Sequence, residues 1–308
     1  MVSNNKNSKR GNSSKVISLT QKILDKNSTI GTTKTRKGAS NMRVIAITSG
    51  KGGVGKTNIV ANLGYSLSEL GKKVLVFDAD LGLGNLDVLF GIAPKYNLSH
   101  VISGEKGIND ILVEGPGNIK ILPASSGIQE ITSLTIKQKS QLLNELELLI
   151  EPYDVLLIDT AAGISSNVMY FNVSAHEIMV VVTPEPTSIT DAYALMKVLS
   201  VKYSEKHFKL MVNWVSNTEE AKRVFRQLSL VSERFLDIYI EYFGCILFDK
   251  NITKCVRIQK IVSEMYPESQ ASRCFVELAE KMCKTTPVSF KKGDNKLLWR
   301  RLLKDKLD

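Results

Sequence analysis

A doubly wound α/β fold built around a single, mostly parallel sheet is what this sequence of 308 residues predicts. Three observations carry that expectation. Short runs rich in β-branched residues alternate with longer segments of helical periodicity. Several of the runs are apolar throughout, as strands buried on both faces of a parallel sheet are. A glycine-rich loop lies between the first run and the first helical segment, and two later runs end in aspartates. Those are the places where an open α/β sheet gathers its ligand groups.

Taken in order, residues 1–41 are rich in Ser, Asn, Thr and Lys, which predicts a flexible, disordered tail. Within it "KVISLTQKILDK" sets Val16, Leu19, Ile23 and Leu24 on one helical face, suited to docking on a partner or to a transient helix without a role. From Met42 the pattern changes. Strands are expected at "RVIAIT" (43–48), "KVLVFD" (73–78), "NIKILP" (118–123), "DVLLID" (154–159), "EIMVVVT" (177–183), "FKLMVN" (208–213) and "YFGCILF" (242–248). Helical patterns fall between them, for example at 56–70, 136–150, 188–203 and 217–235. Right-handed crossovers then join the strands, and 42–283 forms one large domain.

The net charge of +10 is unevenly spread. Residues 1–41 hold nine Lys/Arg against one acid, Asp25, and residues 284–308 hold eight against three, which leaves −3 for the body between them. Basic ends suit acidic partners such as anionic lipid or nucleic acid, although lysine-rich tails also simply aid solubility. The hydrophobic fraction of 43% is ample for a core, and no run of about 18 apolar residues predicts a membrane span. The polar, basic stretch "MVSNNKNSKRGNSSK" predicts no secretory signal. Cys245, Cys255, Cys274 and Cys283 form no CxxC, so reduced thiols are expected rather than zinc or iron–sulfur ligation.

After Cys283 come a linker, "KTTPVSFKKGDN", and "KLLWRRLLKDKL". On a helical wheel Leu298, Trp299, Leu302, Leu303 and Leu307 share one arc, with Arg300, Arg301, Lys304 and Asp305 mostly opposite and Lys306 intruding. A short basic amphipathic helix with a tryptophan resembles an interfacial anchor for anionic inner-membrane lipid. The alternative is a helix folded back on the domain. So short a segment binds a membrane weakly alone and far better in two copies, which makes a dimerisation switch physically sensible.

"GKGGVGKT", residues 50–57, fits the phosphate-binding pattern GxxxxGK(S/T) and lies between a strand and a helix. Gly50, Gly52, Gly53 and Gly55, with Val54 among them, let the backbone curl so that N–H groups point at phosphate oxygens. The helix that continues from Asn58 offers its positive end to the same anion. Lys56 is expected on the β- and γ-phosphates, and the Thr57 hydroxyl on Mg2+. "VLVFDADLGLGN" closes a strand with Asp78 and Asp80, and "DVLLIDTAAG" closes another with Asp159, the expected second anchor for Mg2+ through a water. A guanine-reading N/TKxD would place an aspartate three residues after Asn213; Ser216 stands there, so ATP is expected over GTP.

Lys51 is one cation more than such a site requires. A further cation adds rate by meeting charge that develops on the transferring phosphoryl group. KGGVGKT, with lysine second in the loop, resembles the deviant phosphate loop of the MinD/ParA ATPases, in which that lysine reaches across a dimer interface to the partner's nucleotide. The resemblance runs from Arg43 to about Met282 and is greatest to the FlhG (FleN) branch, which controls flagellar number and placement. "DADLGLGNLDVLFG", "YNLSHVISGE", "ILVEGPGNIKILPASSG", "DTAAGISSNV", "VVVTPEPTSITDAYALMKVLS" and "YPESQASRCFVELA" carry it.

The resemblance implies an ATP-dependent homodimer whose catalytic groups are Lys51, Lys56 and Asp80, with Asp80 orienting the attacking water. It implies Asp78 and Asp159 in the Mg2+ shell, a Gly163 N–H turned toward the γ-phosphate, and Asn213 beside adenine. Asp191, in "TSITDAY", falls in the interface that senses a regulatory partner. An FlhF-like GTPase, a FleQ-type transcription regulator or flagellar switch-complex proteins are the implied partners. The implied location is the cytoplasm, peripherally on the cytoplasmic membrane at the cell pole.

Two departures stand out. Flagellar relatives often carry a DQAxxLR-type element that stimulates FlhF, and the nearest match here, "LTQKILDK", lacks most of it. Trp214 follows the adenine-side asparagine, where no large aromatic is expected. Rival readings fare less well. A ParA-type DNA segregation ATPase needs a basic folded surface, so the acidic body argues against direct DNA binding except by salt-sensitive tails. A septum-site MinD shares the loop but less of the middle and C-terminal segments. An iron–sulfur carrier would have paired cysteines, and a scaffold that never hydrolyses ATP would lack Lys51 or Asp80. The expectation is a slow ATPase switch: ATP closes a sandwich dimer that gathers two terminal helices at the membrane, and hydrolysis opens it.

Overall fold

β1 (Arg43–Ser49) is buried at every position, as a strand flanked on both sides within a covered sheet must be. The computed structural model describes residues 42–80, 84–123, 135–149 and 152–285. The expected tail at 1–41 and the anchor residues Leu298, Trp299, Leu302 and Leu303 lie outside the described residues. Seven further strands complete the sheet: β2 (Val74–Ala79), β3 (Val113–Glu114), β4 (Lys120–Leu122), β5 (Val155–Ala162), β6 (Glu177–Val182), β7 (His207–Val215) and β8 (Tyr239–Leu247). Their order is β3-β4-β2-β5-β1-β6-β7-β8. Every pair is parallel except β3–β4, which is antiparallel.

The sheet is doubly wound and mostly parallel, as the sequence predicts. The alternation of side chains along each strand divides the core into two faces. Ile45 and Ile47 of β1, Met179 and Val181 of β6 and Met211 of β7 pack with α1 (Lys56–Glu69) on one face. α9 (Lys250–Arg257), α10 (Val262–Met265) and α11 (Gln270–Lys284) also contribute to that cluster. The opposite face is covered by the short helices α3 (Leu98–Ile102) and α4 (Ile108–Ile111), by α5 (Ile136–Glu147) and by α6 (Ser166–Ser174). Further along, α7 (Pro186–Tyr203) and α8 (Thr218–Leu236) cover β6 and β7. α2 (Leu86–Phe90) follows β2 and packs on the α1 side.

At the foot of the sheet, where the strands begin, a buried ion network ties five elements together. Arg43 donates to both carboxylate oxygens of Glu177, at 2.5 and 2.8 Å, and to the Met282 carbonyl at 2.6 Å. The Lys209 ammonium lies 3.0 Å from Glu177 and 3.3 Å from Glu241. At the outer edge of β8 the Lys281 ammonium donates to the Tyr242 and Phe243 carbonyls, at 3.0 and 2.7 Å. The β7–β8 register slips between Asn213 and Val215. No helix among the described residues is long and apolar enough to cross a membrane.

Candidate nucleotide-binding site

The loop between β1 and α1 is shaped by close approaches that only glycine permits. A Cβ on Gly50 would sit 2.1 Å from the Asp191 carbonyl oxygen in α7. Gly53 and Gly55 have φ of 77 and 91°, a left-handed backbone that favours glycine. A Cβ on Gly55 would meet the Asn213 side-chain nitrogen at 2.5 Å. Asn213 lies at the end of β7, only 3% exposed, and its amide donates to the Val54 carbonyl at 2.8 Å. Gly52 is exposed, and Thr57 and Asn58 open α1 half-buried.

Lys56 reaches back over this loop. Its ammonium donates to the Ser49 hydroxyl at 2.9 Å, and that hydroxyl donates to the Lys51 carbonyl at 2.7 Å. Burial pulls the Lys56 pKa below its ordinary value, against the attraction of Asp159 and Asp80. Ser49 was not singled out in the sequence. Its position just before the first loop glycine is the one local signal.

Three aspartates close the site from the left-hand strands. Asp78 and Asp159 stand directly opposite each other in the β2–β5 register, each 3% exposed. Asp78 accepts from the Asp80 and Leu86 backbone N–H groups at 3.2 Å each, and Asp80 is half-buried beside it. Burial pushes Asp78 up to about 6. Burial, aided by the neighbouring Asp78, pushes Asp159 up to about 7, while the Thr57 hydroxyl and Lys56 oppose this. One Asp159 oxygen, Oδ1, is buried without a hydrogen-bond partner. A buried orphan carboxylate oxygen, with a second carboxylate and the Thr57 hydroxyl nearby, is a hard-oxygen donor set that fits Mg2+.

Two expected site residues have partners within the chain. The Gly163 N–H, expected to turn toward a phosphate, donates to the Ser49 carbonyl at 2.9 Å, because β5 continues past Asp159 to Ala162 alongside β1. Lys51 is half-exposed and paired with the exposed Glu185, and it also donates to the Thr187 hydroxyl at 3.0 Å. Glu185 and Thr187, at the start of α7, carry no local sequence signal for this contact. Asp191 is half-buried one turn further along that helix, with its backbone against Gly50.

Strand, phosphate loop and helix, with acids at the ends of the adjoining strands and a second loop lysine, define a P-loop nucleotide hydrolase of the deviant-loop class. A family model described as an AAA domain matches residues 42–212. The antiactivator FleN of Pseudomonas aeruginosa is 43% identical over 78% of this chain and 86% of its own length. The flagellum site-determining protein YlxH of Helicobacter pylori is 34% identical over 86% of this chain and 90% of its own. Among solved structures, MinD of Pyrococcus horikoshii complexed with Mg-ADP superposes with a TM-score of 0.65 at 27% identity, covering 79% of this chain and 96% of that one. The chain belongs to the FlhG/FleN branch of the MinD/ParA ATPases and is a MinD-like ATPase.

Proposed function

We propose that this chain is an Mg2+-dependent ATP switch that regulates flagellar number and placement through ATP-dependent dimerisation and membrane association. The observation that carries this reading is the position of Lys51. Lys56 already occupies the interior of the loop, whereas Lys51 stands at its surface, held only by an exposed carboxylate and a hydroxyl. Exposed ion pairs are weak, so this ammonium can exchange its own Glu185 for the phosphates of a facing subunit at little cost.

The remaining roles are assigned to the residues around the same loop. The loop N–H groups and the start of α1 bind the phosphates, and Lys56 balances their charge. Thr57, with Asp78 and Asp159 near it, would hold Mg2+, which would neutralise phosphate charge. Asp80 orients the attacking water. The Lys51 ammonium of the facing subunit meets the developing negative charge. Gly163 exchanges its Ser49 bond for a phosphate oxygen when the site fills.

Two bound subunits bring two copies of residues 296–308 to one membrane face, where Leu298, Trp299, Leu302 and Leu303 insert among anionic lipids. Asp191 lies on the helix that touches Gly50, so a partner bound there acts on the loop directly. An FlhF-like GTPase, a FleQ-type regulator or switch-complex proteins fit that role, and the cytoplasmic membrane at the cell pole is the proposed location.

The test uses Asp80→Ala, which should trap the closed form. With ATP it should elute as a dimer and sediment with phosphatidylglycerol vesicles; with ADP it should do neither. Removing 296–308 should abolish sedimentation and leave the dimer. Equal sedimentation in both states would show constitutive attraction by basic tails, and a monomer with ATP would sink the switch.

A further inference from the structure

Five non-glycine residues among the described ones have positive φ. Asn118, Ser204, Asp237 and Gln259 are polar residues at helix ends or in turns, outside any strand. The fifth is Trp214, with φ 60°, inside β7. A bulky aromatic held this way within a strand is strained and persists only because its surroundings fix it.

Those surroundings belong to the nucleotide site. The Trp214 N–H donates to the Asn213 side-chain oxygen at 2.9 Å, while the same side chain donates to the Val54 carbonyl in the phosphate loop. The β7–β8 register slips at this point, the kind of irregularity that re-aims a side chain. Asn213 and Val215 on either side are 3% and 0% exposed, whereas Trp214 is 44% exposed.

With its phosphates on residues 50–57, a nucleotide must carry its sugar and base away from the loop. Asn213 makes the end of β7 a strand terminus in direct contact with that loop. An indole 44% exposed at that strand end offers a flat π-face, and every base can stack on such a face. We propose that the Trp214 indole is the platform on which the adenine of bound ATP or ADP stacks, and that the strained, slipped end of β7 sets it there. This rests on the nucleotide reading of the loop.

The test is calorimetric titration of the full chain with Mg-ADP and, separately, with inorganic tripolyphosphate, which has no base. Trp214→Ala should weaken ADP about tenfold, leave tripolyphosphate unchanged, and be largely rescued by Trp214→Phe. Trp214→Gly suits the positive φ, so it should melt no lower than the parent and still lose the same ADP affinity. Lys56→Ala should lose both ligands; if it loses neither, the nucleotide reading itself fails. If ADP binds Trp214→Ala as tightly as the parent, the platform is overturned, including the case in which only dimerisation changes. Equal loss of ADP and tripolyphosphate would make Trp214 a support of the loop and overturn it too.

Discussion

Asp159 and Glu177 are both buried, on the two strands that flank β1, and they differ in what faces them. Glu177, at the foot of β6, is met by Arg43 and Lys209. Burial alone would push its carboxyl up, but the two cations outweigh this and hold it below its ordinary value. Asp159, near the head of β5, has another acid opposite and one oxygen without a partner. At the foot of the sheet the chain supplies its own countercharge. At the head it leaves a deficit of positive charge that a divalent cation can fill.

The comparison breaks most visibly at Glu177. Glu177→Gln leaves the buried Arg43 without a full charge opposite and Lys209 with Glu241 alone, and urea unfolding at pH 7 should register a loss of about 3–5 kcal/mol. If Glu177→Gln is as stable as the parent, the foot is not a self-compensated network. Gly50→Ala comes next. Its Cβ meets backbone rather than a yielding side chain, so a loss of about 1–3 kcal/mol is expected, together with loss of ATP turnover.

Asp159→Asn sharpens the contrast from the other side. It should lower Mg-ATP turnover by about 10–100-fold, yet leave the apoprotein at pH 8 at least as stable as the parent. The sign follows from proton linkage. Between its ordinary value of 3.8 and about 7, Asp159 binds more protons folded than unfolded, so apoprotein stability from this group falls as pH rises through that window. Asp159→Asn should remove that slope in thermal melts taken across it. Glu177 acts oppositely: its contribution is present above its ordinary 4.5 and is lost as pH falls through the depressed folded value. The smallest effect belongs to Glu185→Gln, which breaks an exposed pair and should move the unfolding free energy by less than about 1 kcal/mol.

The sequence made much of this visible. The seven expected strands recur, with shifted ends, because each has an apolar run long enough to announce itself. β3 has two residues and packs by tertiary contact, and α2, α3 and α4 have five, five and four, too short for a helical period to show. The phosphate loop was readable because its glycines are demanded locally. Ser49 and Glu185 were not, since their roles come from Lys56 and Lys51 folding onto them. Trp214 stood out as an oddity in the sequence, but only φ and register turn the oddity into a strained strand end.

A sheet grows by adding a strand to an uncovered edge, and proteins gathered densely at one place in a cell risk doing so. Here Lys281 occupies two carbonyls on the outer side of β8, and the opposite edge is only two residues long. Both features interrupt the described edges on which another copy could template itself. A lysine far from the phosphate loop thus helps interrupt the long open edge of the sheet.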